Sequence, residues 1–159
     1  QAAGSPDPAA AVNARIRVAT AADIDGMLAL ERLFPSDQLS RAALRRFLRV
    51  PSARLWVAIQ NSVVVGDVIL LLRAHSDGSR IYSVVVAPAA RGQGLGDRLV
   101  ACAERAARAE GRQRLRLEVR IDNAAARGLY QRRGYREVAA LSHYYEDGAD
   151  GLRLEKSLR

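Results

Sequence analysis

Apolar and polar residues alternate from Arg15 to Ala19, the period of a half-buried strand. After Thr20 the spacing changes. Ile24, Met27, Leu28, Leu30 and Leu33 recur at intervals of three and four and predict the buried stripe of a helix. Thr20 caps it, Asp23 is the capping-box partner, and Pro35 ends it. Ser40 is expected to cap a second helix, Arg41 to Val50, with Leu44, Phe47 and Leu48 inward. Its Arg41, Arg45 and Arg49 form a basic outer ridge, either a solvated face or a rim that attracts an acidic or phosphate-bearing partner.

Strand-like runs follow at Leu55 to Ile59 and Val63 to Arg73, joined by a turn at Asn61-Ser62, and at Ile81 to Val86, broken by Pro88. A glycine-rich loop, Gly92 to Gly96, opens a long helix from Asp97 to Glu110 that Gly111 stops. Leu115 to Arg120 reads as a strand and Asn123 to Arg133 as a helix with Gly134 as its stop. Tyr135 to Leu141 and Leu152 to Leu158 are two final strands. The order β-α-α-β-β-β-α-β-α-β-β defines a mixed α/β domain over residues 14 to 159, preceded by an Ala/Pro/Gly-rich tail over residues 1 to 13 that is expected to be mobile. The central β-α-β unit should be parallel with a right-handed crossover.

The segment Val84-Val85-Val86-Ala87-Pro88-Ala89-Ala90-Arg91-Gly92-Gln93-Gly94-Leu95-Gly96 carries the strongest chemical signal. A buried strand enters a three-glycine turn, and a helix leaves it. Helix N-termini present unpaired N–H groups and a positive dipole end, which attract anions. A Walker A loop would need Gly-Lys-Ser/Thr, but Gly96 is followed by Asp97-Arg98. A dinucleotide fingerprint would need G-x-G-x-x-G near the start of a β-α-β unit; the spacing here is G-x-G-x-G. What remains is Arg-x-x-Gly-x-Gly after a strand, met by Arg91, Gly94 and Gly96.

Composition narrows the partners. The net charge of +8 suits a polyanionic cofactor, an acidic acceptor or nucleic acid. Aromatics are 5% and do not interleave with basic residues, which disfavours a base-stacking surface and nucleic acid as partner. The longest apolar run, Val68 to Leu72, is far shorter than the ~18 residues of a membrane span, so no membrane partner is expected. A single cysteine, Cys102, excludes an internal disulfide and supplies no metal cluster; with no secretory signal, a cytoplasmic location is expected. Cys102 shares the apolar spacing of Leu99 and Ala106 and is read as core, while His75 and His143 lie near turns without a supporting triad.

The loop resembles the coenzyme A-binding motif of the GNAT superfamily of N-acetyltransferases, and the resemblance runs from Ile16 to Leu158. Leu117 to Ala126, Gly128-Leu129-Tyr130, Gly134-Tyr135 and His143-Tyr144-Tyr145 look like the bacterial ribosomal-protein-alanine N-acetyltransferases. The resemblance implies the GNAT fold: a central mixed, mostly antiparallel sheet of about seven strands, flanked by about four helices and splayed between strands 4 and 5. It implies acetyl-CoA as co-substrate and no metal. Val84, Val85 and Val86 would hold the pantetheine arm, with Arg91, Gly92, Gln93, Gly94, Leu95, Gly96 and Asp97 at the pyrophosphate. Asn123 would hold the pantetheine side, Glu118 would accept a proton, and Tyr130 would donate one at the cofactor.

The residues support these roles separately. Leu115, Leu117 and Val119 alternate with Arg116, Glu118 and Arg120, so one face of this strand meets a polar groove. Asn123 and Tyr130 are two helical turns apart and share a face. The other reading of Glu118 is a surface ion pair with a neighbouring arginine, and that of Tyr130 is a packed helix residue. The acceptor is expected to be the N-terminal α-amine of a protein or peptide, attacked directly, with Glu31 as a possible anchor for its positive charge. The alternatives are a small-molecule or antibiotic amine, or a CoA-binding domain without catalysis. The segment Phe34-Pro35-Ser36-Asp37-Gln38-Leu39-Ser40 lacks the Pro-Trp-Ser often present at this place in the alanine-specific enzymes. A monomer or homodimer is expected.

Overall fold

The computed structural model describes residues 14–34 and 38–159. The expected tail and Pro35 lie outside the described residues. Seven strands form one sheet: β1 (Arg15–Val18), β2 (Ala53–Gln60), β3 (Val63–Leu71), β4 (Gly78–Val86), β5 (Arg114–Arg120), β6 (Arg136–Leu141) and β7 (Gly151–Ser157), in the order β1-β2-β3-β4-β5-β7-β6. The helices are α1 (Ile24–Glu31), α2 (Arg41–Arg49), α3 (Leu95–Ala109) and α4 (Ala124–Arg132), with 3-10 turns at Ala21–Asp23 and Pro88–Ala90.

Every strand pair is antiparallel except β4–β5. That parallel ladder covers Gly78↔Arg114, Ser79↔Leu115 and Arg80↔Arg116 and then stops. Beyond it β4 stays paired to β3 as far as Val86, and β5 stays paired to β7 as far as Arg120. Two half-sheets therefore share a short seam and part, which is the expected splay.

The two faces of the first half-sheet are covered differently. Met27 of α1 and Leu44 and Phe47 of α2 pack on Leu55, Val57 and Ile69. Leu99, Val100, Ala103 and Ala107 of α3 pack with Val68, Leu70, Leu115, Leu117 and Leu154. Burying one such Leu or Met side chain fully contributes roughly 1.5–3 kcal/mol. At Gly26 any Cβ would lie 2.6 Å from Val64 Cγ2, so α1 approaches β3 as closely as it does only with glycine there.

The expected capping box forms: Asp23 Oδ2 accepts from the Thr20 N–H at 2.8 Å. Four local expectations need correction. Helix α1 ends at Glu31, and the N–H groups of Arg32, Leu33 and Phe34 turn back to Leu28, Leu30 and Glu31. This tighter turn carries Leu33 off the stripe, leaving it 56% exposed. Helix α3 begins at Leu95, so Gly96 and Asp97 belong to its first turn rather than to the loop. Helix α4 begins at Ala124, with Asn123 as its cap. Finally, the buried stripe of α3 runs through Leu99, Ala103 and Ala107, which leaves Cys102 half-buried beside it, its thiol pushed up by burial.

Candidate active site

Three helices offer a comparison of N-termini. Ser40 Oγ accepts from the Ala43 N–H at 3.1 Å and caps α2. Asn123 Oδ1 accepts from the Ala126 N–H at 3.1 Å and caps α4. The longest helix, α3, has no side-chain cap; its N-cap is Gly94, in the left-handed region at φ 77°. Gly92 also stands at φ 77°, and a Cβ on either glycine would meet nothing within 4 Å. A bare helix N-terminus behind an open glycine turn presents several N–H donors to one point outside the protein. That arrangement fits the diphosphate of coenzyme A.

Around it, Leu95 is buried and Gln93 and Gly96 are half-buried. The Arg91 guanidinium lies over the Phe34 ring at 5.5 Å, and its Nε donates to the Val86 carbonyl at 3.3 Å. Asp97 carries an ion pair with Arg133 at 2.8 Å, so its carboxylate is committed within the protein.

Val84, Val85 and Val86 form the arm of β4 that has parted from β5. On the opposite arm, Leu115, Leu117 and Val119 are buried while Arg116, Glu118 and Arg120 are half-buried, as the alternation requires. The Glu118 side chain is 6% exposed. Arg80 Nε donates to its Oε2 at 2.9 Å, Arg153 Nε donates to its Oε1 at 3.2 Å, and Arg116 Nε stands 4.0 Å away. Glu118 thus lies inside a three-arginine cluster at the seam, its carboxylate buried and the guanidiniums around it half-exposed.

Tyr130 is buried on α4 and packs edge-on against Tyr135 at 5.5 Å. Burial, with the nearby Tyr145 adding to it, pushes its phenol up to about 12, so the hydroxyl keeps its proton across the neutral range. Asn123 is exposed and Tyr130 is not, so the two share a helix side but not one environment. Glu31 is also buried. Its Oε2 accepts the Leu39 N–H at 3.1 Å, and burial raises the carboxyl, an effect this hydrogen bond opposes. It anchors the chain after the first helix. His75 and His143 occupy left-handed turn positions at φ 57° and 50°.

Two buried acids escaped the sequence reading. Glu104 of α3 meets Arg133, Lys156 and Tyr135. Asp67 of β3 is buried, and among the described residues neither of its oxygens is hydrogen-bonded. The helical stripe gave a signal for Glu104, one position after Ala103; Asp67 was signalled by being the one charge in an otherwise apolar strand.

The model of the acetyltransferase (GNAT) family matches residues 24–135. The chain belongs to that family and is an acyltransferase, an N-acetyltransferase whose acyl donor is a CoA thioester. It is 28% identical to an N-alpha-acetyltransferase of Sulfurisphaera tokodaii, over 91% of this chain and 93% of that one. It is 32% identical to an aminoalkylphosphonate N-acetyltransferase of Salmonella typhimurium, over 77% and 84%. Among solved structures, the ribosomal-protein-S18-alanine N-acetyltransferase of Escherichia coli superposes with a TM-score of 0.81 at 23% identity, over 91% of this chain and 94% of that one. Among the described residues, no helix is long and apolar enough to cross a membrane.

Proposed function

We propose that this protein transfers an acetyl group from acetyl-CoA to the N-terminal α-amine of a protein or peptide. The observation that carries the reading is the early end of the β4–β5 ladder at Arg80 and Arg116. Past that point the β5-facing edge of β4 has no strand beside it among the described residues, so the main-chain groups of Val84 to Val86 are available to an extended pantetheine arm. Bound acetyl-CoA supplies the thioester acetyl group. The first-turn amides of α3, with Arg91 to Gly94, hold its diphosphate, and Asn123 retains its Nδ2 for the arm because only its Oδ1 is spent on the cap.

Glu118 takes the proton from the attacking nitrogen, directly or through a water. A carboxylate offers about four lone-pair sites, and among the described residues Arg80 and Arg153 alone hydrogen-bond to this one. An α-amine has a pKa near ~8, against ~10.4 for lysine, so its neutral fraction at pH 7 is already appreciable and modest help suffices. Tyr130 holds a proton for the departing sulfur.

The likeness over nine-tenths of both chains to the Sulfurisphaera N-alpha-acetyltransferase supports a peptide acceptor. A net charge of +8 opposes long-range attraction of basic ribosomal proteins, so the target is sought elsewhere. A small amine is the second reading, favoured by the likeness to the aminoalkylphosphonate enzyme.

The test is a panel of peptides and small amines with acetyl-CoA, read by product mass and CoA release. Peptide α-amines should react fastest. Tyr130→Phe should lower kcat by about 10²-fold or more with little change in acetyl-CoA affinity; wild-type turnover in that variant removes Tyr130 from the chemistry. Absence of saturable CoA binding at millimolar concentration would remove the whole reading.

A further inference from the structure

We infer that an arginine-lined cavity at the N-terminal end of β4 recognises acidic side chains that follow the acceptor's α-amine. The inference rests on the acetyl-transfer reading above and adds the class of acceptor to it. The cavity has a volume of about 710 Å³ and opens between α2 and the starts of β4 and β5. Its lining brings together Arg46, Arg73, Arg80, Arg114 and Arg116 from three elements and the segment after β3, with Glu155 as the one acid.

The local charges do not balance. Arg114 pairs with Asp77 at 2.8 Å and Arg80 with Glu118 at 2.9 Å. Glu118 is already divided between Arg80 and Arg153. Arg116 approaches it only to 4.0 Å, and the Arg116 Nε is buried with no hydrogen-bond partner among the described residues. Neither Arg46 nor Arg73 has an acidic partner among the described residues. Five guanidiniums thus face the carboxylates of Glu155, Asp77 and Glu118. Gathered like charges repel, and a carboxylate entering among them would accept charge-assisted hydrogen bonds from planar, forked donors.

The cofactor's phosphates are not the anion. Their loop lies at the other end of β4, nine strand residues or roughly 26 Å away at about 3.3 Å per residue. A nucleic acid fits less well than a peptide, because the cavity offers no free ring: Tyr82 already packs on Phe47 at 5.2 Å and beneath Arg80 at 5.7 Å. An acceptor peptide fits by reach. Glu118, assigned above to the incoming amine, touches Arg80 of the cavity wall. The five steps from Val85 back to Arg80 span roughly 16 Å, which an extended peptide covers in about five residues.

The experiment uses alanine-started peptides with Asp or Glu, Asn or Gln, or Lys at positions two to five. Acidic peptides should exceed neutral ones at least tenfold in kcat/KM, mainly through KM, with the advantage shrinking as salt rises. In Arg46→Ala/Arg73→Ala the acid-to-neutral ratio should fall several-fold, with melting temperature and CoA binding checking that the fold is intact. In parallel, fluorescent peptides already acetylated at the N-terminus report binding without turnover. Equal rates for acidic and neutral peptides overturn the inference and leave the peptide reading standing. No peptide turnover, with arginine-dependent binding of the acidic acetylated peptide, overturns the peptide reading and keeps the anion site. Tighter, arginine-dependent binding of a single-stranded oligonucleotide overturns the assignment to peptide.

Discussion

Glu104 and Asp67 are equally hidden, each 1% exposed, yet among the described residues one is crowded with partners and the other has none. Glu104 accepts from Arg133 at 2.8 and 3.1 Å, from Lys156 at 2.9 Å and from the Tyr135 hydroxyl at 3.0 Å. Asp67, between Val57 and Val85 in the sheet, accepts nothing. Burial pushes both carboxyls up. For Glu104 the hydrogen bonds from Arg133, Lys156 and Tyr135 outweigh burial and hold it below its ordinary range. For Asp67 nothing opposes burial, the nearby Glu31 adds to it, and the carboxyl is pushed up to about 8. The difference teaches that depth does not decide what a buried acid does; its partners do. Glu104 ties α3, which packs on the first half-sheet, to the end of α4 and to β7 in the second. Asp67 ties nothing and stays neutral beneath α1.

The largest expected effect breaks the crowded side of the comparison. Glu104→Gln keeps the shape and removes the charge, leaving Arg133 and Lys156 without their shared carboxylate. Breaking a buried pair from one side costs about 3–5 kcal/mol. Denaturant unfolding of the variant should show a loss of that size, and a loss below 1 kcal/mol would mean that Asp97 alone satisfies Arg133.

Asp67→Asn works in the opposite direction. The folded carboxyl holds its proton up to about pH 8, while the unfolded one releases it near ~3.9. Between these values the native state binds the extra proton, so stability falls as pH rises from about 4 to about 8. Asparagine cannot ionise in the unfolded chain. The variant should be more stable than the wild type by about 2 kcal/mol at pH 8, after allowance for the buried amide, and should lose the advantage toward pH 4. Melting temperatures across that range check it; equal slopes in the two proteins would show that Asp67 ionises without penalty.

The same contrast marks what was legible in the sequence. The strands and helices were, because periodicity is local: Leu115, Leu117 and Val119 announced their own burial. The open glycine turn ahead of α3 was too, because Gly92 and Gly94 are neighbours that meet one local need. The early start of α3 was not, since Gly96 resembles a loop residue although a glycine in the first helical turn costs little. The partners of Glu104 come from positions 133, 135 and 156, and the arginines of the basic cavity from positions 46 to 116. No spacing rule links them, because the fold alone brings them together. Glu118 stood between the two cases: its strand face was readable, its arginine partners on β4 and β7 were not.

The smallest effect sharpens the comparison by removing one partner without touching a charge. Tyr135→Phe deletes the hydroxyl that donates to Glu104 and leaves the bonds from Arg133 and Lys156 in place. The ring contact with Tyr130 at 5.5 Å has no need of the hydroxyl and should survive. A net hydrogen bond of this kind contributes about 1 kcal/mol, or somewhat more when its acceptor is charged. Because the hydroxyl helps hold Glu104 low, the variant's carboxyl should sit nearer its ordinary range. Stability that Glu104 contributes is present above the unfolded value near ~4.3 and lost as pH falls through the folded one. Acid unfolding of Tyr135→Phe should therefore begin at a slightly higher pH, alongside the loss of about 1 kcal/mol at neutrality. If the neutral loss appears without the acid shift, the hydroxyl serves packing alone, and the two cations by themselves distinguish Glu104 from Asp67.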